Sequence, residues 1–238
     1  MNAAIVGYGR MGKMIEEILV NSGSGVIGKV DFDYYKSLSD IPDAFDVVID
    51  FSHPDNLENT LSFSQSTRIP CVIGTTNLTD DQKALMTECA KYAPILYSAN
   101  YSLGVSVIKK AAKMLYDALG EDFDVEIIET HHNKKADAPS GTAKAILDAI
   151  DPENRIPCVY GREGAPGARG KEIGVHAVRG GTVAGEHKVM FFGEDEILEI
   201  RHEAISRRIF AKGACRAAEW LIGKENGLYT MEDVLWGE

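Results

Sequence analysis

Through the first hundred residues, short runs of consecutive apolar positions alternate with stretches whose apolar residues recur every three or four positions. Ala3-Ala4-Ile5-Val6, Gly25–Val30, Val47–Phe51, Cys71–Gly74 and Ile95–Tyr97 are the short runs. The first intervening stretch places Met11, Met14, Ile15, Ile18 and Leu19 on one side of a helix. Strands that alternate with helix-length segments predict a doubly wound parallel sheet.

The pattern changes after Leu103. A helix carrying Val107, Ile108, Ala111, Ala112 and Leu115 leads to Gly120. Phe123, Val125 and Ile127 then alternate with Asp124, Glu126 and Ile128, which predicts a half-buried strand. Residues 173–178, 187–192 and 197–200 predict at least three more strands, punctuated by tight turns at Gly180-Gly181 and Gly193-Glu194-Asp195. Strands without helices between them point to an antiparallel or mixed open sheet, whose uncovered face and edges invite oligomerisation. Residues 161–170 hold four glycines and a proline and predict a flexible surface loop. A last long helix runs from Ile209 through Leu221 to Gly223, and Thr230 with Asp233 predicts a capping box for a short final helix. The change at Leu103 predicts a smaller α+β unit after the doubly wound one.

Gly7-Tyr8-Gly9-Arg10-Met11-Gly12 turns this outline toward chemistry. A G-x-G-x-x-G hexapeptide is weak evidence alone, and incidental glycines in a turn would read the same. Here it follows a strand and opens a helix, the context of a Rossmann-type phosphate site. Gly7 permits the turn, Gly9 lets backbone approach a pyrophosphate, and Gly12 lets helix and strand pack closely. The helix start then offers free N–H groups to an anion, with Arg10 beside them. Asp31, 19 residues beyond Gly12, stands near the spacing of about 20 at which a carboxylate meets a ribose hydroxyl. A carboxylate there favours NADH over NADPH, and nearby Lys29 and Arg10 leave dual use open. Gly74-Thr75-Thr76 and Ser98-Ala99-Asn100-Tyr101 follow later strands, where ligands sit in open α/β sheets.

The 238 residues carry a formal net charge of −11. That argues against a nucleic-acid partner and makes any local basic cluster conspicuous. Glu129–Thr142 supplies one: His131, His132, Lys134 and Lys135 stand together, and Pro139-Ser140-Gly141-Thr142 opens a helix. Histidine and lysine can set a proton donor and an anion anchor against one substrate, while a helix start and the Thr142 hydroxyl receive a carboxylate. A solvated basic loop with an N-cap fits the same composition. No metal ligand set is expected, because adjacent histidines diverge and no third ligand has suitable spacing. His53, His176, His187 and His202 are read as structural, and Arg179-Gly180-Gly181 either as an anion contact or as a plain turn. Cys71, Cys89, Cys158 and Cys215 lack metal spacing and are read as buried thiols of a reducing compartment. With no signal-peptide pattern and no long apolar run, a soluble cytoplasmic protein with no membrane partner is expected.

These residues resemble the dihydrodipicolinate reductase family. The resemblance rests on Gly7–Gly12, Asp50-Phe51-Ser52 with Pro54, Gly74–Thr76, Asn100-Tyr101-Ser102, Glu129–Thr142 and Glu172–Gly181, and covers almost the whole chain. It implies His131 as acid/base residue and Lys135 as proton donor. His132, Ser140, Gly141 and Thr142 would bind a small dicarboxylate substrate. NADH and/or NADPH would be held by Gly7, Tyr8, Gly9, Arg10, Met11, Gly12, Asp31, Gly74, Thr75, Thr76, Ser98, Ala99, Asn100 and Tyr101. It further implies two domains, residues 1–102 with the returning C-terminal segment 210–238 for the dinucleotide and residues 103–209 for substrate and oligomerisation, and a homotetramer joined through the central sheets. The family often carries an extra phosphate-loop glycine and Glu-Arg at the second strand end, where this chain reads Asp31-Phe32-Asp33. Little sequence separates Asp31 from Val47, so a peripheral strand-helix unit is expected to be trimmed. A noncatalytic NADH-responsive protein and a dehydrogenase acting on an aldehyde or hydroxy acid are the competing readings.

Overall fold

The computed structural model describes residues 1–120 and 122–237. The chain divides into two compact units, one of Met1–Leu103 with Arg208–Glu238 and one of Gly104–Arg207.

In the first unit, β1 (Asn2–Val6), β2 (Gly25–Val30), β3 (Val47–Asp50), β4 (Cys71–Ile73) and β5 (Pro94–Tyr97) form one parallel sheet. A short late strand, Gly227–Tyr229, pairs in parallel with β5 and gives the order late strand, β5, β4, β3, β1, β2. The strands are continuous apolar runs because both faces are covered. On one side, Ile5, Val47, Ile49, Val72 and Leu96 pack against Ile15 and Leu19 of α1 (Arg10–Asn21) and against Ala211, Ala214, Ala218 and Leu221 of a late helix, Arg208–Leu221. On the other, Val48, Ile73 and Ile95 pack against Leu57 and Leu61 of α2 (Leu57–Thr67) and Met86 of α3 (Asp80–Cys89). Between β2 and β3 the chain forms an isolated parallel bridge from Val30 to Tyr35 and a short 3-10 turn, Leu38–Asp40. The Thr230–Asp233 capping box forms and opens the last helix, Met231–Trp236.

In the second unit, α4 (Leu103–Leu119) leads into β6 (Asp124–His131), then α5 (Gly141–Ile150), β7 (Cys158–Tyr160), β8 (Ile173–Arg179), β9 (Glu186–Phe192) and β10 (Ile197–Glu203). In chain order the late helix, strand and last helix of the first unit are therefore α6, β11 and α7. The sheet order is β10-β9-β6-β8-β7. β6 pairs in parallel with β8 and antiparallel with β9, so the sheet is mixed rather than purely antiparallel. Gly180-Gly181 is accordingly not the turn of a hairpin: residues 180–185 cross the C-terminal end of β6, which separates β8 from β9. Val125 and Ile127 share one face of β6 with Glu129 and His131, and Ile108, Ala112, Ile146 and Ile150 of the helices pack on that face. Outer-face Val178 and Ile197 are 47% and 63% exposed.

The loop at residues 161–170 is irregular and exposed but anchored. Arg162 donates to Glu126 and Glu172, and Arg169 donates to Asp124, Glu126 and the carbonyls of Val125 and Glu172. The glycines predict the irregularity correctly; the two arginines remove the freedom. Cys71, Cys89 and Cys215 are buried, whereas Cys158 is only half-buried. Burial pushes the Cys215 thiol up to about 12.

Candidate active site

The phosphate-binding turn has the geometry its glycines suggest. Gly7 adopts φ +85°, and a Cβ there would stand 2.6 Å from the Phe51 carbonyl oxygen. A Cβ on Gly12 would strike the Gly7 carbonyl, whereas a Cβ on Gly9 would meet nothing within 4 Å. No side chain caps α1 and no acid stands in its first turn, so its leading N–H groups suit an anion. Arg10 is exposed beside them and Met11 packs into the core.

Asp31 ends next to this turn, where its carboxylate accepts the Tyr8 N–H and also the Phe32 N–H at 2.6 Å. The Tyr8 side chain is engaged with Glu16 and with Lys29, whose ammonium donates to the phenol oxygen at 3.2 Å and lies 4.3 Å from the ring centroid. Side chain and N–H of Tyr8 are thus both engaged within the protein. These residues fit a dinucleotide: open space over Gly9, uncommitted helix N–H groups, and a carboxylate at the second strand end.

The later loops are arranged differently from the expectation of ligand-facing hydroxyls. Thr75 is 2% exposed; its hydroxyl donates to Asp50 Oδ1 at 2.9 Å and accepts the Ser52 N–H at 3.1 Å. Asp50 also accepts from Thr60 and from the Ser52 hydroxyl and N–H. Burial under four hydrogen-bond donors makes this carboxylate the tie between the loops after β3 and β4, a role its sequence position did not reveal. Tyr101 is likewise a core residue: its hydroxyl donates to the Ile73 carbonyl at 2.8 Å, and its ring packs on Phe51. Burial pushes its phenol well above the ordinary value. A Cβ on Gly74 would enter the Phe51 ring, so that glycine serves packing. Thr76 and Ala99 are exposed, and Ser98 donates to the Asn100 carbonyl at 2.8 Å.

In the second unit, strand alternation turns Glu129 and His131 inward together. Glu129 is fully buried. Arg179, its neighbour from β8, donates through both Nη atoms at 2.8 and 2.7 Å, and the Ser140 N–H donates at 2.9 Å. His131 Nδ1 lies 2.6 Å from Glu129 Oε2. Burial alone would raise the Glu129 carboxyl, but Arg179, His131 and Ser140 outweigh it and hold it below the usual range. Burial lowers His131 despite support from Glu129, with Lys135 and Arg179 adding to the lowering.

Lys135 lies 2.8 Å from Asp137 Oδ1, and Asp137 presents its carbonyl to Arg179 at 2.7 Å. Arg179 is thus an internal clamp, neither a bare turn residue nor a free anion contact. Ser140 caps α5 by accepting the Ala143 N–H, and its hydroxyl faces His187 Nε2 at 3.0 Å. Being 2% exposed, Ser140 shapes the helix start, whereas Gly141 is open, with nothing within 4 Å of a Cβ position. Thr142 and His132 are half-buried nearby.

His187, read as an isolated structural residue, belongs to this cluster. Its ring stands edge-on to His131 at 5.2 Å, and burial first, with His131 adding, pushes it down to about 4. His176 sits instead in the outer-face cluster on Glu126, 2.7 Å away. No group of three His, Cys, Asp or Glu suited to a metal occurs among the described residues, and no described helix is long and apolar enough to cross a membrane.

A Rossmann-type sheet with a phosphate turn, joined in one chain to a mixed-sheet unit bearing a His-Lys cluster, defines an oxidoreductase that uses a nicotinamide cofactor. Models described as dihydrodipicolinate reductase, N-terminus and C-terminus, match residues 1–101 and 104–235. The chain belongs to the dihydrodipicolinate reductase family. It is 40% identical over 238 residues to 4-hydroxy-tetrahydrodipicolinate reductase of Clostridium novyi, covering 95% of this chain and 94% of that one. The Pseudomonas fluorescens enzyme of the same name is 48% identical over 214 residues, covering 88% and 80%. A solved structure of dipicolinate-bound dihydrodipicolinate reductase from Paenisporosarcina sp. TG-14 superposes with a TM-score of 0.78 at 25% identity, covering 97% of each chain.

Proposed function

We propose that this chain reduces 4-hydroxy-tetrahydrodipicolinate, by way of dihydrodipicolinate, to tetrahydrodipicolinate in lysine and diaminopimelate biosynthesis. The observation that carries this reading is the convergence of His131, Lys135 and the open start of α5 around the buried Glu129–Arg179 pair. NADH and/or NADPH would bind the first unit through the N–H groups of Gly9–Gly12, Asp31 and the loops at 74–76 and 98–101. When bound, the cofactor supplies the hydride.

The second unit would hold the dicarboxylate. Gly141 and Thr142 would receive one carboxylate at the helix start, where the helix dipole favours an anion, and His132 would stand beside it. Reduction of a conjugated ring needs a proton next to the carbon that takes hydride. Lys135, held beside Asp137, would give it; His131, which burial favours in its neutral form, would accept or relay a proton. The dipicolinate in the solved relative supports a small planar diacid as the substrate class.

A homotetramer in the cytoplasm completes the proposal. The outer sheet face, with Val178 and Ile197 exposed, supports assembly through that face. Light scattering would read the mass. The activity test is NADH or NADPH oxidation coupled to the synthase that makes the ring. Cofactor oxidation that depends on the ring is expected, and its absence with both cofactors refutes the assignment.

A further inference from the structure

We propose that Glu129, locked by Arg179, is the positioning residue for His131, fixing Nδ1 as a donor and leaving Nε2 as the working nitrogen. This rests on the reading of His131 and Lys135 as the acting pair.

The argument begins with what Glu129 can accept. Both of its oxygens face Arg179, one faces the Ser140 N–H, and the other lies 2.6 Å from His131 Nδ1. A carboxylate paired bidentately with guanidinium is ionised and has no proton to give. The 2.6 Å contact therefore requires the proton on Nδ1. In the neutral imidazole the lone pair must then lie on Nε2. Nε2 points toward Gly185, where even a methyl group would stand 3.1 Å away. A side chain at that position would crowd the nitrogen.

Arg179 extends the device to the second acting residue. Besides Glu129 it donates to the carbonyls of Val178 and Asp137. Asp137 in turn holds the Lys135 ammonium. One buried ion pair thus fixes both the ring of His131 and the loop that carries Lys135. A purely structural ion pair would not require a histidine nitrogen at hydrogen-bond distance on its remaining acceptor position. The charged and titratable groups facing His131 are Glu129 on its own strand, Lys135 on the following loop, Arg179 on β8 and His187 on β9.

The test uses the full-length wild-type protein first. Long-range nitrogen–proton NMR of the imidazoles is expected to show neutral His131 protonated on Nδ1; an Nε2–H tautomer would overturn the proposal. E129Q removes the charge that supports the protonated ring. The His131 titration and the limb of the kcat/KM profile that reports it should move down by about one pH unit. NADH affinity should stay as in wild type, and E129D should recover part of the shift. An unmoved titration in folded E129Q also overturns the proposal. If E129Q does not fold, the wild-type tautomer decides. Wild-type protein with the Nδ1–H tautomer but no ring-dependent cofactor oxidation would refute the functional reading while upholding Glu129 as the residue that orients His131.

Discussion

Asp50 Oδ1 accepts the Thr75 hydroxyl at 2.9 Å inside the first unit, so two loops that follow different strands are held by one buried carboxylate. Asp50→Asn puts an amide donor among groups that are themselves donors. A loss of about 2 kcal/mol in urea unfolding is expected, the cost of an unmade buried hydrogen bond to a charged group. Cofactor affinity should fall with it, because the loops at 52 and 75 lose their common anchor; unchanged stability would show that the carboxylate is dispensable.

Asp31 sets the charge beside the phosphate turn. Asp31→Ser should raise the NADPH-to-NADH ratio of kcat/KM roughly tenfold, since removing a carboxylate from the ribose end relieves repulsion of a 2′-phosphate. Steady-state kinetics with both cofactors reads this directly. The Tyr8 N–H that Asp31 now accepts would lose its partner, so a modest drop in stability should accompany the switch.

Lys135→Ala should lower kcat by at least about 100-fold, within the range for loss of a positioned proton donor. NADH binding, measured by nucleotide fluorescence, should survive, because the phosphate turn belongs to the other unit. Full turnover in this variant would remove Lys135 from the chemistry.

Acid should weaken the fold through His187. Its value of about 4 lies below the ordinary 6.5; a group depressed on folding stabilises above its unfolded value and loses that contribution as pH falls. Stability is therefore complete above about pH 6.5 and declines toward pH 4, by up to about 3 kcal/mol for a shift of this size. His131 and Glu129, both also lowered, act in the same direction. His187→Gln should flatten the decline between pH 6.5 and 4 in urea titrations; a slope equal to wild type would contradict the assignment.

Arg169→Ala should loosen the glycine-rich loop by removing its contacts to Asp124, Glu126 and three carbonyls. Trypsin should then cut near Arg162 and Lys171 faster than in wild type, with turnover little changed. Equal cutting rates would mean that Arg162 alone suffices to hold the segment.

Strands β1 to β5 were legible because parallel strands buried on both faces are written as unbroken apolar runs. The strands Cys158–Tyr160 and Gly227–Tyr229 escaped, since three residues carry no period. A turn does follow Gly180, but it does not join neighbouring strands: a short link suggests neighbours, and nothing local says that β6 lies between. Glu129–Thr142 stood out through its charge density. The partners that organise it, Arg179 and His187, lie 50 residues from Glu129 and 47 from Ser140, so only register brings them in. Tracing His187, Val189 and Phe191 to one face of their strand would have placed that histidine beside the site. Thr75 and Tyr101 misled in the opposite sense: polar atoms at strand ends look available to a ligand, yet here their hydroxyls are spent on Asp50 and on backbone.

Because α6 supplies Ala211, Ala214, Ala217, Ala218 and Leu221 to the core that β1 and β3 begin, the first unit has its ends written on either side of the second. During synthesis the opening half of that core must wait, with one apolar side unclosed, while residues 104–207 emerge. The inserted unit has its own core of continuous sequence and can close first. The order of maturation would then reverse the order of translation, leaving the early sheet as the part most in need of protection from aggregation.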